Sequence, residues 1–288
     1  MRKYVPISVC QRYWQLGNRI AKKPASHKCY QAIRYKCQCF CFCPTRVILG
    51  SVTTLAGQRT AIRHLLNELS PADAFTAYYA LYHDPRRTTL FLHNDPGGWV
   101  DGFLARAQTG LDLFRPVAVL RAAAVHTATD LLRTGLAPNR PYYMVAPLPL
   151  SHVINRTLTV SDAEVLCVYR LDPAGFDPDV NVLVVSNPAP DGSPRFQINV
   201  NDTPQAVAGV NWQSPRFAEV YVFTESAARG RGWGNSVVSA LVSELLKSGR
   251  VPLYVVNEQN TASINLATSI GFVDTGAREY AGQVVLSQ

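Results

Sequence analysis

Phe217-Ala-Glu-Val-Tyr-Val-Phe-Thr-Glu-Ser-Ala-Ala-Arg-Gly-Arg-Gly-Trp-Gly234 changes its period part-way along. The first eight residues alternate, which predicts a strand over Phe217–Thr224 with Phe217, Glu219, Tyr221 and Phe223 on one face. Beyond the glycines, Val237, Val238, Leu241, Leu245 and Leu246 recur with helical spacing. This predicts a helix from Asn235 to Lys247, closed by Gly249. A strand, a glycine-rich turn and a helix N-terminus together make an anion site. The first helical N–H groups have no internal partner, and the positive end of the helix dipole lies behind them. Arg229 and Arg231 add formal positive charge. The fitting ligand is a pyrophosphate.

The spacing excludes two common nucleotide loops. A P-loop needs a Lys after its last glycine, and here Gly234 is followed by Asn235 and Ser236. A dinucleotide fingerprint needs GxGxxG, whereas Gly230, Gly232 and Gly234 read GxGxG. Downstream, Val251–Val256 is a short apolar strand and Asn260 is an N-cap. Thr261–Ile270 is a helix closed by Gly271, and Phe272 begins another strand.

The Arg-x-x-Gly-x-Gly spacing at Arg229, Gly232 and Gly234 resembles the pyrophosphate loop of the GNAT superfamily of acetyl-CoA-dependent N-acetyltransferases. The string Asn-x-x-Ser-x-x-Leu-(4)-Gly-Phe from Asn260 to Phe272 resembles its second block. The resemblance covers roughly residues 195–288. It implies acetyl-CoA as cosubstrate, no metal, and direct attack of an amine on the thioester. It implies two splayed parallel strands, Phe217–Thr224 and Val251–Val256, with the pantetheine arm near Val222, Phe223 and Thr224. It places the pyrophosphate on Arg229, Gly230, Arg231, Gly232, Trp233 and Gly234. Asn235, Asn260 and Ser263 join the expected cofactor-binding set. Glu219 stands where many members carry the base that takes the ammonium proton. An exposed strand carboxylate or an ion-pair partner is the plain alternative.

One departure stands out. Many members carry a Tyr just after the Leu of the second block as acid for the leaving thiolate, and here Leu266 is followed by Ala267. Tyr254 and Tyr280 are the candidate substitutes, with packing as the alternative for each. Water is the other candidate donor.

The rest of the chain bounds the reading. Of 288 residues, 1–50 hold ten Lys/Arg and no Asp or Glu, which leaves 18 basic against 20 acidic residues in the body. The net charge of +8 therefore belongs to that segment, and nucleic acid is not an expected partner of the folded part. Six of seven cysteines lie there too, including the alternating Cys37, Cys39, Cys41 and Cys43. That spacing is a poor match to a structural zinc site. The segment reads as a disordered tail or as sequence upstream of the native start. Cysteine usage and the lack of a membrane-length apolar run point to a cytoplasmic protein that does not enter membranes.

Residues 51–155 read as a smaller α/β region, with helices over Gly57–Leu69 and Ala74–Tyr82 and strands at Thr88–Leu92, Val117–Leu120 and Tyr142–Val145. Ser70-Pro-Ala-Asp is the cap signal between the helices, and Thr127–Thr134 a third helix. Short strands at Val165–Tyr169, Val180–Val185, Phe196–Val200 and Ala206–Asn211 follow. The expected fold is a mixed α/β GNAT fold over 156–288, a twisted mixed sheet with helices on both faces. A degenerate GNAT-like half precedes it as an acceptor-side cap. The expected function is acetyl transfer to a primary amine of a small molecule or peptide. The alternatives are a non-catalytic CoA-binding regulatory or scaffold module, and a nucleic-acid binder that uses the basic segment. The acceptor and the oligomeric state stay open.

Overall fold

The computed structural model describes residues 54–109, 114–179 and 181–288. The basic segment and its cysteines, together with Val180, lie outside these. Among the described residues, eleven strands form one mixed sheet in the order β1-β2-β3-β4-β11-β5-β10-β9-β8-β7-β6. In the first half these are β1 (Thr88–Asn94), β2 (Val100–Ala107), β3 (Val117–Ala122) and β4 (Pro141–Pro147). The long β5 (Thr159–Leu171) follows. The second half has β6 (Val185–Ser186), β7 (Arg195–Val200), β8 (Thr203–Gln213), β9 (Phe217–Thr224), β10 (Val251–Asn257) and the long β11 (Phe272–Val285).

The two halves repeat one element order and exchange their last strands. In the first, β3 leads through helix α3 (Val125–Gly135) to parallel β4, then through α4 (Ser151–Thr157) to β5. In the second, β9 leads through α5 (Trp233–Lys247) to parallel β10, then through α6 (Thr261–Ile270) to β11. Yet β5 pairs with β10 of the second half, and β11 pairs with β4 of the first. The long β5 and β11 also pair with each other and join the halves at the centre of the sheet.

Helices cover both faces. On one, the stripe Val237, Val238, Leu241, Val242 and Leu245 of α5 packs with Ala267 and Ile270 of α6 over Val220, Val222, Tyr254 and Val256. Each of these aliphatic side chains contributes roughly 1.5–3 kcal/mol on burial. On the same face α3 and α4 cover the first half through Leu131, Leu132, Val153 and Ile154. The other face is covered by α1 (Leu55–Ile62) and by α2 (Ala74–Ala77), which continues as a π turn over Tyr78–Tyr82. Ile62, Ala77, Tyr79 and Leu81 lie there against Leu90, Phe103, Val119, Val145, Leu166 and Ala281.

Some expectations are corrected. The first helix ends at Ile62 in a 3₁₀ turn over Arg63–Leu65, because the Asp73 carboxylate accepts the Asn67 N–H at 2.8 Å and turns the chain. The strand expected over Val180–Val185 is reduced to Val185–Ser186. Val182 is 94% exposed, so burial does not hold an extended chain there. Strand β2 was not foreseen, since Val100-Asp-Gly-Phe-Leu-Ala-Arg-Ala does not alternate. Its Gly102 is needed for space: a Cβ would lie 2.5 Å from Thr127 Cγ2 of α3.

Candidate active site

The parallel ladder between β9 and β10 pairs Phe217, Ala218 and Glu219 with Val251, Pro252 and Leu253 and stops there. Beyond it β9 stays with β8 as far as Thr224, while β10 stays with β5 as far as Asn257. The strands therefore part beyond Glu219. At the open end of the gap stands the glycine-rich turn. Gly230 and Gly232 have φ of 77° and 76°, the left-handed region where a side chain is strained. Gly232 is the N-cap of α5 and supplies no capping side chain, so the first N–H groups of the helix are not capped from there. Gly234 acts through space: a Cβ would sit 2.8 Å from Leu266 Cδ1 of α6, so it sets how closely the two helices approach. Arg229 donates to the Thr224 carbonyl at 3.4 Å, and the Arg231 guanidinium lies 5.1 Å from the Trp233 ring centre. An open pocket between this turn and the β7–β8 hairpin is lined by Asn201, Gln205, Ala228, Arg231 and Trp233. Exposed arginines, left-handed glycines and a helix N-terminus fit a pyrophosphate.

Glu219 is buried at 3% exposure on the face covered by α2. The register of β8 slips between Val210 and Trp212, so Asn211 is an extra residue in the ladder. Such a bulge re-aims side chains. Here it turns two neutral donors on one carboxylate: Asn211 Nδ2 donates to Oε1 at 2.7 Å and Trp212 Nε1 donates to Oε2. The Trp212 indole is held in turn by the Tyr78 ring, stacked at 5.2 Å, and the Phe75 ring, edge-on at 6.2 Å. The first half thus supplies the wall beside the candidate base.

Residues 202–281 match the family model described as FR47-like protein. No curated protein matches the chain by sequence. Among solved structures, a Drosophila protein superposes with a TM-score of 0.56 at 14% identity, covering 81% of this chain and 90% of its own. A GCN5-related N-acetyltransferase from Kribbella flavida gives 0.53 at 15%, covering 75% and 96%. A tandem GNAT protein from the clavulanic acid biosynthesis pathway gives 0.52 at 15%, covering 82% and 97%. The chain has a GNAT fold. It is a two-part arrangement, and the first half lacks the Arg-x-x-Gly-x-Gly turn of the second.

Within that GNAT fold the three expected catalytic side chains do not converge. Tyr254 lies on the opposite face from Glu219, packed under α5 and α6. Its hydroxyl is 2.7 Å from Ser263 Oγ, and burial pushes its pKa up to about 12. Tyr280 also faces away, in the core under α3 and α4, where it donates to Asn155 Oδ1 at 2.6 Å. The geometry therefore corrects both tyrosines to core residues with satisfied hydroxyls. Ala267, at the usual acid position, is fully buried.

Asn260 caps α6 by accepting from the Ser263 N–H at 3.2 Å, and Asn235 Nδ2 donates to Ser269 Oγ at 3.1 Å. These side chains tie α6 to its surroundings beside the turn. Four residues absent from the sequence expectations belong to the Glu219 face: Asn211, Trp212, Arg121 and Glu279. Only the bulge pair had a local signal, two adjacent polar-edged residues in a strand pattern. Arg121 and Glu279 reach this face through pairings remote in sequence.

Proposed function

We propose that this protein is an N-acyltransferase that moves an acetyl group from acetyl-CoA to a primary amine, with Glu219 as the base. The observation that carries the reading is the alignment of three features on one parallel strand pair: Glu219 at the point of divergence, the gap beyond it, and the glycine-arginine turn at its end. The pantetheine arm would lie along Val222–Thr224 and the pyrophosphate on Arg229–Gly234. The amine nitrogen attacks the thioester carbonyl carbon, the C–N bond forms and the C–S bond breaks. Glu219 takes a proton from the nitrogen, and its bonds from Asn211 and Trp212 hold its orientation. The CoA thiolate takes its proton from water, because neither Tyr254 nor Tyr280 faces the gap. Residues 51–155 would form the acceptor-side wall, which the packing of Phe75 and Tyr78 on Trp212 supports.

The fully buried Ala267 in place of the usual acid favours one alternative, a CoA-binding module without turnover. Calorimetry with acetyl-CoA, followed by release of free CoA thiol with a panel of primary amines, separates the two. Binding with turnover supports the enzyme, binding without turnover supports the module, and no binding removes both.

A further inference from the structure

Between α2 and the turn that joins β8 to β9 lies a cleft of about 210 Å³ that the reaction above does not use. Both halves build it. Ala74 and Ala77 of α2 and Phe217 at the start of β9 line it, and each is buried, so its inner wall is apolar. Leu69, 70% exposed, stands at the rim. Among the described residues that line the cleft, none belongs to the glycine-arginine turn, which follows the far end of β9 about 23 Å away. A hole of roughly 150 Å³ with apolar walls is enough to hold benzene. The polar groups of the cleft are unequally satisfied. The Glu68 carboxylate is occupied: Arg63 Nη1 donates to Oε1 at 2.5 Å and the Tyr82 hydroxyl donates to Oε2. The Ser214 hydroxyl accepts the Phe217 N–H at 2.9 Å and donates to the Phe217 carbonyl at 3.3 Å. Arg216 differs. Its carbonyl accepts the Val251 N–H at 2.9 Å, which fixes its backbone, whereas its exposed guanidinium has no partner among the described residues. Arg250 adds a second positive charge to this edge, since its Nε donates to the Ser214 carbonyl at 3.1 Å.

We propose that this cleft is a second small-molecule site, which takes a monocarboxylate with a compact apolar body. The body fills the hole against Ala74, Ala77 and Phe217, and the carboxylate meets the Arg216 guanidinium at the rim. That planar fork can donate two parallel N–H bonds to one carboxylate. A cationic ligand is disfavoured, because Glu68, the one carboxylate among the described residues that line the cleft, already holds Arg63 and Tyr82. An occupant would tie α2 to the turn after β8, next to the Phe75 and Tyr78 rings that hold Trp212. The site does not depend on the acyltransferase reading.

The test is a methyl NMR titration of the full chain labelled with ¹³C at the alanine Cβ. Benzoate is the probe, with its neutral isostere benzamide and the cation benzylammonium as controls. The signals of Ala74 and Ala77 are those lost in Ala74→Ser and Ala77→Ser. Benzoate should shift both with a Kd of about 1 mM or below, while Ala267, buried under the helices of the opposite face, stays in place. Arg216→Gln, at an exposed position, should weaken benzoate about tenfold and leave benzamide within about twofold. Unmoved Ala74 and Ala77 signals at about 10 mM benzoate overturn the proposal, and so does equal benzoate affinity in Arg216→Gln. Tighter binding of benzylammonium than of benzoate also overturns it, by giving the site to Glu68. Displacement of benzoate by acetyl-CoA would put the probe on the glycine-arginine turn and remove the second site. Ala74 and Ala77 shifts that persist with acetyl-CoA present support it, whether or not acetyl transfer occurs.

Discussion

The parallel ladders β3–β4 and β9–β10 each open after three registered pairs, Val117–Val119 with Tyr143–Val145 and Phe217–Glu219 with Val251–Leu253. The last paired residue is Val119 in the first half and Glu219 in the second. The turn that follows the first is Ala123-Ala124 into α3; the turn that follows the second carries Arg229, Gly230, Arg231 and Gly232 into α5. The backbone thus repeats while the chemistry does not. A splayed strand pair is the scaffold, and in the proposed reading a carboxylate plus a glycine-arginine turn make it a site. The first half serves the second in another way, through Phe75, Tyr78, Asp73 and Arg121 on the Glu219 face.

The sharpest test of this asymmetry is at the divergence point. Glu219→Gln keeps the shape and removes the proton acceptor, and kcat should fall by roughly 10²–10⁴ with acetyl-CoA affinity unchanged. Val119→Ala, at the matching position, should leave kcat within about threefold and lower stability by about 1–3 kcal/mol through the cavity left behind. Steady-state rates and thermal melts read both. Equal losses of kcat would mean that both gaps take part in the chemistry.

The turns come next. Gly232→Asp puts a side chain at φ 76° and a negative charge where the pyrophosphate is expected. The strain, about 1 kcal/mol, lowers folding stability, while a repulsion of roughly 2.7 kcal/mol against the pyrophosphate predicts acetyl-CoA binding weaker by about 100-fold. Ala123→Asp in the first half should change it by less than about twofold. Calorimetry on the two variants decides, and a large effect at Ala123 would place a CoA site in the first half instead.

How much of this was legible beforehand follows the range of the interactions. Phe217–Thr224 and Thr261–Ile270 agree with the structure end to end, because alternation, the Asn260 cap and the Gly271 stop are written within a dozen residues. The Gly230–Gly232 turn was equally local. The face of Tyr254 was not: only the pairing of β10 between β5 and β9 shows that it points to α6, away from Glu219. Glu279 was invisible for a stronger reason. Its neighbours come from β3, β9 and the turn before α2, brought together by the strand exchange of β5 and β11. No window of sequence contains that set.

The junction of the halves carries its own pH signature. The Glu279 pKa in the folded chain is raised from 4.5 to about 8. Between these values the folded state holds a proton that the unfolded state has lost, so stability is present below 4.5 and is lost as pH rises to about 8. The slope is about 1.4 kcal/mol per pH unit. Glu279→Gln removes the titration. Its stability relative to the unaltered chain should therefore rise from pH 5 to about 8 and then level off, as followed by denaturant melts across that range. A flat difference would mean that Glu279 is already ionised and partnered at low pH.

The smallest expected effect concerns the far face of the second half. If Tyr254 supplied the thiolate proton, Tyr254→Phe would lower kcat by roughly 10²-fold or more. The structure gives that hydroxyl to Ser263 in the first turn of α6, on the helix-covered face of the sheet opposite to Glu219. A tyrosine whose pKa is pushed up to about 12 by burial is also a poor donor at neutral pH. Tyr254→Phe should therefore keep kcat within about twofold and lower stability by about 1 kcal/mol, the worth of one buried hydrogen bond. Ser263→Ala should show the same loss, and the double variant little more, because both remove one bond. Non-additive stability with intact turnover would assign Tyr254 to the architecture of the second half. A large fall in kcat would instead bring that face into the chemistry and give the thiolate a protein donor.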